Sequence, residues 1–310
     1  MTRTICEPIA LEGVGLHGGI PARLEIRPAR RGTGILFQRS DIPGPIGLIP
    51  ARHDRVVDTR LCTRIANEHG ASIATIEHLM AALAACGVSD AVVRVDGPEV
   101  PILDGSAAPV VEAIRETGLT RPAGPRRAIA IRRTVRVEDA SRMAALHPAP
   151  RFSARFRIEF DDPAIGTQSL SLALAGEAAV EALADCRTFA RRAEIEMLHR
   201  AGLARGGSLD NAVVVDGARV LNPGGLRRPD EFVRHKILDA VGDLALAGAP
   251  IIGQYEGLRA GHEMTSRLLH ALFDQPDAWE WVDAAPGQLP SLGRTALPAR
   301  RAAAEARLAV

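Results

Sequence analysis

Hydrophobic and polar positions alternate in short runs over residues 1–70, as in ARLEIRP, GILFQRS and TRLCTRI. A period of two predicts strands with one buried face, in an antiparallel or mixed sheet. The period changes to that of a helix in TIEHLMAALAACG, residues 75–87, which closes on a glycine and offers Thr75 as an N-cap. DAVVRVDGPEVPILDG then predicts two strands around a turn, and APVVEAIRETG a second helix, again stopped by glycine.

The Pro/Gly/Arg-rich LTRPAGPRR, residues 119–127, is the best linker candidate. After it the pattern starts again. AIAIRRTVRVED, FSARFRIEF and SLSLALAG predict strands, EAAVEALAD and AEIEMLHRAG helices, and NAVVVDGARVL a hairpin turning on Asp-Gly. DEFVRHKILDAVGDLALAG is the longest helical pattern; APIIGQYEGLRAG predicts a strand and HEMTSRLLHALF a last helix. The two Val-rich segments with Asp-Gly, 90–100 and 211–221, form a weak internal repeat. Together these features predict an α+β fold of two similar domains, 1–122 and 127–283, each a small mostly antiparallel or mixed sheet layered with helices. Residues 284–310, rich in Ala, Pro and Arg, are expected to be a peripheral tail.

Composition narrows the class. Of the 310 residues 46% are apolar and 24% charged, as in an ordinary globular protein, and the aromatic share of 3% leaves the core to Leu, Val, Ile and Ala. A net charge of +1 provides no whole-molecule attraction to nucleic acid or anionic lipid. Cys6, Cys62, Cys86 and Cys186 form no C-x-x-C pair and read as free thiols of a reducing compartment. The N-terminus has no signal-peptide pattern and the most apolar run, LMAALAAC, is too short to span a bilayer, so the expected location is cytoplasmic, without stable membrane insertion.

Three groups of residues could carry chemistry. His235 and Asp239 stand four apart on the longest helix, with Asp243 one turn further on the same stripe. This is either a solvated pair or part of a metal site, and three polar groups amid Phe232, Val233, Ile237, Leu238 and Val241 require partners if buried. Glu77 and His78 diverge by about 100° on a helix, so one can ligate an ion while the other faces its water. The bland alternative is an acidic first turn beside a core histidine. His262, at the start of the last helix, is structural or a candidate acid. GVGLHGG lacks the end of a P-loop and the strand–helix context of a dinucleotide fingerprint, although His17 within it could line a site. Lys236, the chain's single lysine among 38 basic residues, sits beside His235, where a compact ammonium could meet a substrate's charge.

GVGLHGG, TIEHLMAAL, DGPEVPILDGSAAP, RTFA, GGSLDNAVVVD and DEFVRHKILDAVGDLALAG occur in this order. Over residues 3–282 the chain resembles the bacterial zinc-dependent UDP-3-O-acyl-N-acetylglucosamine deacetylases of lipid A synthesis. The resemblance implies an active site between the two domains, with Zn2+ held by His78, His235 and Asp239. It implies Glu77 as general base toward a zinc-polarised water. Thr188 and cationic His262 would stabilise the oxyanion, His262 would protonate the leaving amine, and Asp243 would orient His262. Phe189 would stack near the sugar nucleotide, and Ile195, Gly207 and Ser208 would line a passage for the acyl chain. Arg191 and Arg60 stand where the family pattern has apolar residues, which bears on acyl-chain preference. The other readings are a zinc amidase acting on a different acylated amino sugar, and a sugar-nucleotide-binding protein without turnover.

Overall fold

The structure, a computed structural model, describes residues 3–120 and 126–292. Six α-helices occur among them: α1 (Glu77–Cys86), α2 (Ala108–Thr117), α3 (Ala178–Leu183), α4 (Arg192–Arg200), α5 (Glu231–Leu244) and α6 (His262–Phe273). The fold is α+β, built on two five-stranded sheets.

The first sheet has the spatial order Ile9–Val14, Pro21–Pro28, Ala91–Val95, Ile35–Arg39, Leu48–Pro50. The second runs Val135–Asp139, Arg142–His147, Gln254–Leu258, Ser153–Glu159, Thr167–Ala173. Their topologies are the same. Each opens with an antiparallel hairpin and closes with another, and a late strand enters between them, antiparallel to the first hairpin and parallel to the second. In each half that late strand is preceded by a central helix, α1 or α5, and followed by a second helix, α2 or α6. The predicted duplication is therefore present, but not where the sequence similarity lay. Residues 90–105 are not a hairpin: Ala91–Val95 is the central strand of the first sheet, and its continuation makes only isolated bridges through Glu99 and Pro101. Val213–Asp216 and Arg219–Val220 are the hairpin expected there, yet they belong to a separate three-stranded sheet.

Two predicted strands are each divided between sheets. Residues 127–139 contribute Arg127–Ile131 to a small sheet and Val135–Asp139 to the large one, and 249–261 divide likewise at Gly253. A Cβ at Gly253 would stand 2.7 Å from Ile131 and 3.0 Å from the His147 carbonyl, so the crossing requires glycine. The glycine stop of α1 holds: Gly87 is left-handed (φ 77°), its N–H is bonded to Ala84 and that of Val88 to Leu83, which closes the helix. Thr75 is not the cap. It is itself left-handed (φ 60°), and its hydroxyl donates to Glu99 Oε1 (2.9 Å) instead of accepting from a helical amide.

α1 and α5 pack on each other between the two halves. Every residue of α1 except Ala84 is buried, as is every residue of α5 except Arg234 and Lys236. A helix enclosed on all sides gains stability from all of its faces, and each fully buried Leu or Ile, such as Leu79 and Ile237, contributes roughly 1.5–3 kcal/mol before the entropy of ordering is subtracted. Residues 4–6 pair with 118–120, which brings the start of the first half back to its end. Part of the expected tail belongs to the body. Leu289 and Leu292 are buried, and the Leu292 N–H donates to the Cys86 carbonyl (3.1 Å). Residues 121–125 of the linker candidate and the tail beyond 292 lie outside the described residues. No described helix is long and apolar enough to cross a membrane.

Candidate active site

The site is made by the contact of α1 with α5. Gly242 lets the helices touch: a Cβ there would stand 2.0 Å from the Glu77 carbonyl oxygen. Glycine inside a helix costs about 1 kcal/mol relative to alanine, so close packing is its physical reason here. The contact lays the first turn of α1, with Glu77 and His78, against the stripe of α5 that carries His235, Asp239 and Asp243.

His78, His235 and Asp239 are buried and offer ligand atoms that all lie within 4.8 Å of one another. Asp239 Oδ1 lies 3.4 Å from His78 Nε2 and 3.2 Å from His235 Nε2. It is buried without a hydrogen-bond partner, an orphan acceptor aimed at two imidazole nitrogens. His235 Nδ1 lies 3.0 Å from the Cys186 carbonyl, which can only accept, so Nδ1 carries a proton and the Nε2 edge is turned toward Asp239. Burial holds His78 below the usual histidine range and therefore neutral. Two imidazoles and one carboxylate oxygen make a donor set that could hold a metal ion, of the kind that suits zinc. Burial opposes ionisation of Asp239, but the neighbouring His235 and Lys236 hold it well below the usual carboxylate range.

Lys236 does not stand free beside this triad, as its position after His235 suggested. Its ammonium donates to Asp239 Oδ2 (2.6 Å), one turn along the helix, and so occupies the carboxylate oxygen that the triad leaves over.

A second cluster lies against the first. The Thr63 N–H donates to Glu77 Oε2 (3.0 Å), the Thr63 hydroxyl to Asp243 Oδ1 (2.6 Å), and Asp243 Oδ2 meets His262 Nδ1 at 2.8 Å. Burial pushes the Glu77 carboxyl up to about 7; the nearby His262 lowers it, while Asp243 and Asp239 raise it further. For His262 burial lowers the value, but Asp243, Glu77 and Asp239 prevail and raise it to about 9. A carboxylate basic enough to take a proton near neutrality thus shares one pocket with an imidazolium able to give one.

Thr63 was not anticipated. A threonine in an alternating strand-like run has no distinguishing pattern, and only its burial between two carboxylates reveals it. His17 is brought close enough to His262 to feel its charge, and its Nε2 is buried without a partner among the described residues. Glu99 secures that loop by accepting from the His17 and Gly18 amides, both at 2.8 Å.

The remaining expected site residues lie on the segment after α3. The Thr188 N–H donates to the Gly105 carbonyl (2.8 Å) across the two halves. Phe189 packs edge-on against Phe160 and Phe232 and lies 6.2 Å from the His235 ring. Ile195 is on α4, which buries none of its residues, while Gly207 and Ser208 follow in the loop, Gly207 beside Leu16. Neither arginine that departs from the apolar pattern leaves its charge unmatched. Arg191 is ion-paired to Asp162 and Glu194, and Arg60 pairs with Asp58 on a side chain that is 86% exposed. A cavity of about 800 Å3 lies on other faces of α1 and α5, beside Met80, Leu83, Val241 and Leu244; none of the triad lines it.

The family model of the UDP-3-O-acyl N-acetylglycosamine deacetylases matches residues 2–274. A UDP-3-O-acyl-N-acetylglucosamine deacetylase of Phenylobacterium zucineum (strain HLK1) is 50% identical over 276 residues, 89% of this chain and 94% of that protein. Proteins of the same name from Shewanella sp. (strain W3-18-1) and Myxococcus xanthus (strain DK1622) are 45% and 43% identical, covering 90% and 94% of this chain and 92% of each relative.

Proposed function

The chain belongs to the family of UDP-3-O-acyl-N-acetylglucosamine deacetylases, and from this premise we propose that it hydrolyses the N-acetyl amide of a UDP-linked, 3-O-acylated glucosamine at the α1–α5 contact. The products are acetate and the free 2-amino sugar nucleotide. The observation that carries the assignment is Asp239 Oδ1, buried, unpartnered and facing two imidazole nitrogens at 3.2 and 3.4 Å.

His78, His235 and Asp239 would hold Zn2+, which when bound supplies Lewis acidity toward water and an amide carbonyl. Glu77 accepts the proton of the attacking water at its carboxylate. Thr63 fixes that carboxylate through its amide and fixes Asp243 through its hydroxyl. Asp243 keeps His262 protonated and oriented. His262 then provides positive charge to the oxygen that develops in the transition state, together with the Thr188 hydroxyl, and donates its proton to the leaving nitrogen. Lys236 steadies Asp239 from the outer side.

Residues 1–122 would form the domain supplying Glu77 and His78, and 127–283 the domain supplying His235 and Asp239. The return of residues 118–120 to the N-terminal segment supports that boundary. Phe189 stands beside His235 where a sugar nucleotide would stack, and Ile195, Gly207 and Ser208 would wall the acyl passage. The solvent-facing apolar surface of α4, with Met197 59% exposed, is what an acyl chain would cover. Four unpaired thiols support a cytoplasmic setting.

The test is deacetylation of acylated UDP-N-acetylglucosamine with metal content measured alongside. Turnover should disappear with a chelator and return with zinc. Glu77→Ala should abolish most turnover, a loss of about 10²–10⁴-fold for a general base, while zinc stays bound. A zinc-loaded protein inert toward this substrate would overturn the substrate, and chelator-resistant turnover the mechanism.

A further inference from the structure

One buried ion pair is not used in the chemistry above. Glu231 is fully buried (0%), and Arg187 keeps 8% of its surface. Oε1 of Glu231 accepts from the Arg187 backbone N–H (3.0 Å) and from its Nε (2.9 Å). Oε2 accepts from an Arg187 terminal nitrogen (3.1 Å) and from the Arg227 backbone N–H (2.7 Å). The carboxylate is thus met by four donors, two of them main-chain amides.

Its placement is the informative part. Glu231 stands four residues before His235, so both project from one side of α5. The residue before Arg187 is Cys186, whose carbonyl receives the His235 Nδ1 proton (3.0 Å). α5 therefore grips the segment 186–187 at two points one turn apart: Glu231 holds residue 187, and that hold places the carbonyl that aims His235. Arg227 carries the arrangement into the other half by donating to Asp104 Oδ2 (2.9 Å). Desolvation makes such a pair a weak source of stability, and an apolar pair of similar volume often replaces one without loss. What this pair supplies is direction.

We propose that Glu231 and Arg187 are positioning residues that set the Cys186 carbonyl and, through it, the orientation of the His235 imidazole toward its metal. The inference rests on the zinc reading above. Partners one shell beyond the ligands typically change metal affinity by about 10–100-fold.

The test uses the full chain with the paired replacement Arg187→Met/Glu231→Leu, which removes both charges together, and Glu231→Gln beside it. Readouts are the melting temperature, zinc affinity by chelator competition, the visible spectrum of the cobalt-substituted protein, and turnover at limiting and saturating zinc. The paired variant should fold but melt several degrees below the wild type, because two main-chain amides lose their acceptor, and should bind zinc about 10–100-fold more weakly, with an altered cobalt spectrum and with turnover restored by saturating zinc. Glu231→Gln should shift zinc affinity in the same direction. Wild-type affinity and spectrum in the folded paired variant would overturn the proposal. So would failure of that variant to fold, which assigns the pair to folding, or turnover that stays low at saturating zinc. A wild-type protein that binds no zinc would instead overturn the function proposed above, whatever the variants do.

Discussion

Gly242→Ala tests whether the α1–α5 contact sets the chemistry. The added Cβ would stand 2.0 Å from the Glu77 carbonyl oxygen, 2.8 Å from its carbonyl carbon and 3.1 Å from its Cα. Since real Cβ atoms essentially never come within 3.0 Å of such atoms, the helices must separate by about 1 Å at this point. Neither neighbour can yield cheaply, because the obstacle is backbone and not the end of a flexible side chain. Overpacking of this kind costs about 1–3 kcal/mol, and the better helix propensity of alanine returns up to about 1 kcal/mol. The net loss is therefore about 3 kcal/mol at most, a fall in melting temperature of several degrees for a chain of this size. Activity should suffer far more. The shifted backbone belongs to Glu77 and precedes His78, and misplacing catalytic groups by about 1 Å costs on the order of 100-fold in rate. The assay pairs calorimetry with steady-state deacetylation at saturating zinc. A variant that melts several degrees lower but turns over within about threefold of the wild type would refute the claim that this spacing aligns the two helices.

Further outcomes follow from the same site. The proposed mechanism requires Glu77 ionised and His262 protonated, so the rate should rise with pH through about 7 and fall through about 9; a profile flat across that range would contradict the assignment. Asp243→Asn removes the main support of the His262 proton, so the alkaline fall should move to lower pH, and an unmoved limb would mean that another group titrates there. Thr63→Val leaves Asp243 Oδ1 without its hydroxyl partner, and an unsatisfied buried acceptor costs about 1–3 kcal/mol, to be read as lost stability by denaturant titration together with reduced kcat. Lys236→Arg should lower turnover while fold and zinc content persist, because a flat guanidinium cannot take the place of the compact ammonium on Asp239 Oδ2; near-normal kinetics would show that any cation suffices there.

Much of this site was legible along the chain because it is written in helical spacing. His235, Asp239 and Asp243 follow one stripe of α5, and a stripe of polar groups within an apolar helix signals by its pattern alone that buried partners are needed. Glycine also punctuated correctly at Gly87, where only a left-handed residue closes α1. Other features depend on contacts that spacing cannot encode. Thr63 reaches its place only because the turn before the strand Arg64–Ala66 sets it between Glu77 and Asp243. Lys236 was placed by its neighbour in sequence, whereas its flexible stem folds back by one turn onto Asp239. Thr75 has the composition of a cap, but the buried carboxylate of Glu99 outcompetes the helix for its hydroxyl.

The two similar halves show the same division. Local periodicity determined that each half alternates strands and helices, since one buried face is enough to impose a period of two or of about 3.6. Strand order is decided by pairing between residues far apart in the chain. Ala91–Val95 and Gln254–Leu258 occupy equivalent central places with little sequence in common, because the requirement there is a strand that can pair on both edges, and many sequences meet it. The nature of the chemistry was thus set by which residues the chain carries. The proposed site is assembled only where the two central helices meet, because no single segment can bring His78, His235, Asp239, Glu77 and His262 onto one point.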